Sequence, residues 1–354
     1  MRIGIITFHN GSNYGAALQA FALQQVYKKD GNECYIINYK NRFIMQGLDT
    51  VRWGLSLHNV YYSLIDILNY RDNRKKIANF YAFFEKYYCL TPLLDRDELK
   101  NEQLNFDMFV SGSDQIWNPL LSGTVDDIYF GKICNITDKI SYASSFGSYK
   151  FDNAEWNKKI ENLLKDYRQI SVRENANLIK KELGLTVQEV CDPTLLLSKD
   201  EWKSALNIKE SNEKYILVYA LCDFKHVMEI ACKIAEQKNL KIKFIGKLLK
   251  KYKYTYYCTD IGPKEFVELF YNATFVVTNS FHGTAFSVNF KKQFYSVIHP
   301  SSPERANSFL KRINLQSRLL NSCLDMKEDI TASEYQRAHG MLEKIKAYSR
   351  KSLY

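Results

Sequence analysis

The sequence predicts an α/β protein of two Rossmann-like domains facing a central cleft. Three observations carry that expectation. Short apolar runs rich in β-branched residues alternate with helical patterns along most of the chain. The alternation opens the molecule as strand, loop, helix and strand, a βαβ unit that argues for a parallel sheet. A second series of the same kind follows Asp192-Pro193, where the proline pushes its neighbour away from helix.

Residues 2–8 (RIGIITF) read as a buried first strand, and 9–15 (HNGSNYG) as a polar loop. Residues 16–28 carry Leu18, Ala22, Leu23 and Val26 on one helical face, Gly31 breaks the run, and 34–39 (CYIINY) give the next strand. Residues 51–90 differ: they read as two aromatic-rich helices parted by the basic break RDNRKK. Strands resume at 106–110, 139–144, 170–173 and 187–191, with the helix ENANLIKKELG before the last. In the second series 215–221, 242–245, 275–277 and 294–298 are strands. Residues 227–237 form a helix, Gly262-Pro263 opens another with proline in its first turn, and a third contains His282. The expected domains are 1–192, with the insert, and 214–322, joined by a polar linker over 193–213. Residues 323–354 form a tail whose 333–350 stretch is a charged amphipathic helix.

The 354 residues suffice for two sizeable cores. The formal net charge of +10 favours anionic partners such as phosphorylated small molecules, acidic lipid surfaces or nucleic acid. The eight cysteines are scattered, with no CxxC pair and no zinc spacing, as for free thiols in a reducing compartment. The first residues run straight into a strand, and no apolar run approaches a membrane span. A cytoplasmic protein is expected, with peripheral contact at the inner face of a membrane left open.

Ligands of such sheets sit at the carboxyl ends of strands, which singles out five loops. In the first, Asn13 and Gly15 precede a helix whose free N–H groups suit an anion, although the loop matches no phosphate-binding fingerprint. Ser113 and Asp114, in SGSD, offer hydroxyl and carboxylate to sugar hydroxyls or phosphate; either is also an ordinary helix cap. SSFG at 144–147 is similar and weaker. Arg173, in SVREN, offers a bidentate fork to a carboxylate or phosphate, or else pairs with Glu174 or Asp192. The fifth loop, VTNSFHG, puts Asn279 and Ser280 before a helix with His282 in its first turn, placed to exchange a proton with a bound anion.

The ordered series NYGAALQAFAL, FDMFVSGSDQIWNP, SYASSFG, SVREN, CDPTLLL and VTNSFHGTAFSVNFKKQF resembles the polysaccharide pyruvyltransferase family, from the N-terminus to about Leu320. The resemblance implies a glycosyltransferase-B-like fold and transfer of pyruvate from phosphoenolpyruvate onto two hydroxyls of a sugar as a ketal. Such enzymes build bacterial capsules, exopolysaccharides and cell-wall polymers, and none of them is expected to need an essential metal or cofactor. By position, His282 resembles the catalytic histidine and Arg173 a donor-binding arginine, with Arg305 the basic residue after the last strand. Many members carry arginine and leucine just before the histidine; here Ser280 and Phe281 stand there, and Lys291, Lys292 or Arg305 could supply the missing anion contact.

Phosphoenolpyruvate would be protonated at its methylene carbon, attacked by one sugar hydroxyl, stripped of phosphate and closed by the second hydroxyl. The acceptor expected is a sugar, including one linked to a polyprenyl diphosphate. Lysines 241, 243, 247, 250, 251 and 253, interleaved with Tyr252 and Tyr254, could face anionic lipid, or form a solvated basic face. Two rivals remain. A nucleotide-sugar glycosyltransferase fits the two-domain layout, although no acidic motif for a donor ribose is visible. A nucleic-acid-binding protein fits the charge but shows no recognised module, so no nucleic-acid partner is expected.

Overall fold

A computed structural model describes residues 1–41, 70–101, 104–133, 136–248, 250–299 and 303–354. The chain divides into two compact units. One comprises Met1–Ser63, Phe80–Leu196 and Ile345–Tyr354, the other Leu64–Asn79 and Leu197–Lys344.

The first unit is built on β1 (Arg2–Ile6), β2 (Glu33–Ile36), β3 (Met108–Ser111) and β4 (Lys139–Ser141), all parallel in the order β2-β1-β3-β4. Strands β5 (Ser171–Val172) and β6 (Gln188–Glu189) pair in parallel, and single bridges from Ile140 to Gln169 and from Ser144 to Val172 continue the sheet into them. Ile3, Ile5 and Ile6 are fully buried, which is why this strand is an unbroken apolar run rather than an alternating one. Beneath the strand ends Trp117 stacks on Phe130 with ring centres 5.3 Å apart.

The second unit contains β7 (Tyr215–Tyr219), β8 (Lys241–Ile245), β9 (Thr255–Cys258), β10 (Phe275–Thr278), β11 (Gln293–Val297) and β12 (Leu319–Leu320). All pairs are parallel, and the order is β12-β11-β10-β7-β8-β9. Counted from β7 this is 3-2-1-4-5-6, the doubly wound arrangement, and strand order reverses between β7 and β10. In the first unit it reverses between β1 and β3. Ligands of such sheets collect at the carboxyl ends beside the reversal. The α/β class and the parallel sheets are those the sequence predicts.

Several elements differ from expectation. Residues 193–213 contain the turn Pro193–Leu195 and the helix Lys199–Leu206, started by a capping box in which Ser198 and Glu201 satisfy each other's backbone N–H groups. RDNRKK is no break. It lies inside the helix Tyr70–Tyr87, which has neither glycine nor proline there and buries Phe80, Phe83 and Phe84 further on. Residues 51–69 of the expected insert lie outside the described residues. The helices Ala154–Leu164 and Pro303–Arg312 and the strand β9 come unannounced. The tail helix spans Ala332–Arg350, and from Ile345 onward the chain belongs to the first unit. No helix among the described residues is long and apolar enough to cross a membrane.

Candidate active site

The reversal point of the second sheet is tied together by the stretch TNSFHG. Thr278, at the end of β10, donates its hydroxyl to the carbonyl of Tyr219 at the end of β7 (2.6 Å). The Asn279 side chain spans the same gap: Oδ1 accepts from the N–H of Leu221 (2.8 Å) and Nδ2 donates to the carbonyl of Cys222 (2.5 Å). Asn279 therefore fastens the loop after β7 to the end of β10. Ser280 caps the helix Phe281–Asn289, its hydroxyl accepting from the N–H of Gly283 at 3.5 Å. Gly283 lets that first turn sit on the strand, because an added Cβ would lie 2.9 Å from Cβ of Thr278. His282, half-buried, is the second residue of this helix, at the end where backbone N–H groups lack intrahelical acceptors.

Aromatic contacts bring cations to it. The Phe281 ring meets His282 edge-on, with centres 5.5 Å apart. The Arg305 guanidinium lies over the Phe281 ring, 4.9 Å from its centre, and Phe309 packs against the same ring at 6.0 Å. Arg305 comes from the helix Pro303–Arg312, one turn before Phe309. His299, two residues past β11, lies within the field of Arg305. Burial lowers its pKa, and the positive charge of Arg305 lowers it further. Two imidazoles and a guanidinium at a helix N-terminus and a sheet reversal suit an anionic ligand that exchanges a proton. His299 was not singled out from the sequence, although the strand-end rule applied to β11 points to it.

Lys292 lies elsewhere. It follows the far end of the helix Phe281–Asn289, its N–H donating to the carbonyl of Ser287 (2.8 Å). Its ammonium stands 6.0 Å from the centre of the Tyr271 ring, which Lys199 also faces at 4.5 Å. Burial, and then repulsion from Lys199, push its pKa down to about 8. Lys291 is exposed at the same helix end. The structure brings together His282, Ser280, Asn279 and Arg305, and it sets Lys292 apart.

In the first unit, Asn13 caps the helix Tyr14–Lys29, its Oδ1 accepting from the N–H groups of Gly15 (2.9 Å) and Ala16 (3.2 Å). Two of the N–H groups at this helix start, expected to face an anion, meet the Asn13 side chain instead. Ser113 is fully buried, and its carbonyl accepts from the Thr7 hydroxyl (2.7 Å). Asp114 follows with φ of 78°, a left-handed conformation that is uncommon outside glycine. Its Oδ1 accepts from the N–H of Gln115 (2.8 Å) and lies 3.9 Å from Nη2 of Arg173. Two of the three nitrogens of the Arg173 fork meet carboxylates: Nε pairs with Glu174 at 2.8 Å and Nη1 with Asp192 at 3.2 Å. Asp192 also accepts from the N–H (3.0 Å) and hydroxyl (2.8 Å) of Thr194, and Glu174 accepts from the Ser145 hydroxyl. Burial opposes the charge on Arg173, yet Glu174, Asp192 and Asp114 together raise its pKa. One buried ion cluster thus joins the ends of β3, β4, β5 and β6. Among the described residues no group of three His, Cys, Asp or Glu side chains is arranged to hold a metal ion.

Residues 13–301 match the family model of polysaccharide pyruvyl transferases. No curated protein matches the chain. Among solved structures it is similar to the UDP-GlcNAc 2-epimerase of Methanocaldococcus jannaschii, with 12% identity, a TM-score of 0.47, and coverage of 97% of this chain and 92% of that one. The E. coli heptosyltransferase WaaC with ADP shows 13% identity, a TM-score of 0.41, and coverage of 86% and 90%. A co-structure of S. aureus MnaA with UDP shows 10%, 0.48, 99% and 91%. At these scores the likenesses carry nothing about chemistry.

Proposed function

Since this chain belongs to the polysaccharide pyruvyl transferase family, we propose that it transfers pyruvate from phosphoenolpyruvate to two hydroxyls of a sugar, forming a ketal during synthesis of a bacterial capsule, exopolysaccharide or cell-wall polymer. The observation that carries this reading is the cluster of His282, Arg305 and His299 at the reversal point of the second sheet. Phosphoenolpyruvate is a small trianion, and this cluster offers it a guanidinium, two imidazoles and the first turn of a capped helix. Arg305 takes over the anion contact expected in the family from an arginine two residues before the histidine, where Ser280 stands here.

His282 gives its proton to the methylene carbon of the donor, which leaves the adjacent carbon open to attack. One sugar hydroxyl adds there and loses its proton. The bond between that carbon and the phosphate oxygen then breaks, and the second hydroxyl closes the ketal, its proton passing to the inorganic phosphate released. Arg305 holds the phosphate as its charge grows, and His299 is placed to protonate it. Asn279 and Ser280 act by position, one fixing the loop after β7 and the other starting the helix. Arg173, expected to bind the donor, pairs through Nε and Nη1 with Glu174 and Asp192, and the donor is taken here to meet Arg305 instead. The acceptor is taken to be a sugar met at the cytoplasmic face, with a polyprenyl-diphosphate-linked sugar as one form. The chemistry calls for no cofactor.

The test is turnover of His282→Ala, followed as phosphate released from phosphoenolpyruvate with a panel of sugar acceptors, with ketal products identified by mass. General acid–base work contributes roughly 10²–10⁴-fold, and a loss of that size is expected in a variant with unchanged circular dichroism. Retained turnover would remove His282 from the mechanism.

A further inference from the structure

The edge strand of the second sheet carries a surface that the reaction does not use. Strand β9 pairs only with β8 and ends the sheet. Tyr254, immediately before it, is 79% exposed, and Tyr256, on the strand, is 68% exposed. Tyr254 has φ of 56°, an outlying conformation for a bulky residue, and its carbonyl accepts from the N–H of Ile242 (3.0 Å). Its ring is thus held out in solvent by a fixed backbone. Lys251 and Lys253 precede it in the chain, and Lys241 starts the neighbouring strand; all three are exposed.

The charges there are unbalanced. Lys243, opposite Tyr256 in the register, pairs with Glu213 at 2.6 Å, and Lys247 pairs with Asp72 at 3.7 Å. Lys241, Lys251 and Lys253 have no carboxylate partner among the described residues. Lysine on an edge strand commonly guards against pairing with other chains. Two solvated tyrosines beside it work against that purpose, because they add apolar surface to the same edge.

From this juxtaposition we infer that Lys241, Lys251, Lys253, Tyr254 and Tyr256 form a docking patch for a bilayer rich in anionic lipid. The lysines supply attraction to the headgroups. The tyrosines, apolar in the ring and polar at the hydroxyl, suit the interface between headgroup and acyl chain. The patch lies at the edge and amino end of β8 and β9, whereas His282 and Arg305 lie at the carboxyl end of the same sheet. Adsorption through it leaves that end of the unit uncovered. This inference stands independently of the transfer chemistry.

The full chain is sedimented with vesicles of phosphatidylcholine, with and without phosphatidylglycerol, over a salt series. Binding only to the anionic vesicles, weakening with salt, is expected. Lys251→Gln with Lys253→Gln should lower apparent affinity on the order of 25-fold, about fivefold per lysine. Tyr254→Ser with Tyr256→Ser should remove the fraction that survives raised salt. Circular dichroism checks that each variant is folded. No sedimentation with anionic vesicles at low salt, or wild-type binding by both variants, overturns the proposal. So does lysine-dependent binding of heparin or transfer RNA without vesicle binding, which would make the patch a site for soluble polyanions.

Discussion

Arg305 keeps its guanidinium over the Phe281 ring, and that stacking fixes a cation beside two imidazoles. Arg305→Ala should weaken donor binding by roughly 1.5–3 kcal/mol, the range for a hydrogen bond to a charged group. His299 gives a signature of the same contact. Burial, then the field of Arg305, hold its pKa below 6.5, so it is largely neutral at neutral pH. A bound phosphate offsets that field and draws a proton onto the ring. Titration calorimetry in buffers of different ionisation enthalpy should therefore show proton uptake on donor binding, lost in His299→Gln. Lys292 makes the contrasting case. Its pKa is depressed from 10.5 to about 8, so the unfolded chain binds its proton more tightly than the folded one. Its contribution to stability is then unfavourable below pH 8 and is relieved as pH rises toward 10.5. Lys292→Met should raise the melting temperature at pH 7, flatten that alkaline rise and leave turnover intact; lost turnover would return it to the active site. Basic residues near His282 were legible in the sequence. Which of them stands beside it was not, because a nine-residue helix separates its two ends by roughly 14 Å.

The ion cluster across β3 to β6 acts on whole elements. Arg173 reaches carboxylates that follow three different strands, and the Asp192 side chain is fully buried. Arg173→Ala should cost about 3–5 kcal/mol in urea unfolding, since it leaves buried carboxylates uncompensated. A stable variant with lost donor affinity would instead support Arg173 as a clamp. The sequence showed an arginine at a strand end with acidic neighbours, and so both roles; only the assembled sheet shows Nε and Nη1 paired with carboxylates. At the other reversal point, Gly283→Ala should destabilise the second unit by roughly 1–3 kcal/mol, because the new methyl overpacks against Thr278. Loss of activity should follow as the first helical turn lifts from the strand. The buried strands were readable because their apolar runs are continuous. Strand β9 was not, since the side chains of TYYC lie largely at the surface and mimic a loop. The helix Lys199–Leu206 had its signal in Ser198 and Glu201, but its charged composition read as linker.

At the scale of the molecule, the chain returns from the second unit to complete the first. Ser349 accepts from the N–H of Cys191 (2.9 Å), Ser352 donates to Gln188 (2.6 Å), and the carbonyl of Leu353 accepts from Tyr27 (2.9 Å). The chain's two series of strands were apparent in order and class. This closing contact was not, because hydrogen bonds between residues far apart in sequence leave no local pattern. Deleting residues 349–354 should destabilise the first unit by several times the roughly 1 kcal/mol of one hydrogen bond. Protease sensitivity within 1–41 would report it, and an unchanged digestion pattern would speak against it. The central claim is that an anionic three-carbon donor binds beside His282 and Arg305. Calorimetric titration of phosphoenolpyruvate, set against a panel of nucleotide sugars, tests it most directly with wild type and Arg305→Ala. The account predicts that phosphoenolpyruvate binds, that Arg305→Ala weakens it at least about tenfold, and that the nucleotide sugars do not compete. Binding of a nucleotide sugar with none of phosphoenolpyruvate would contradict it.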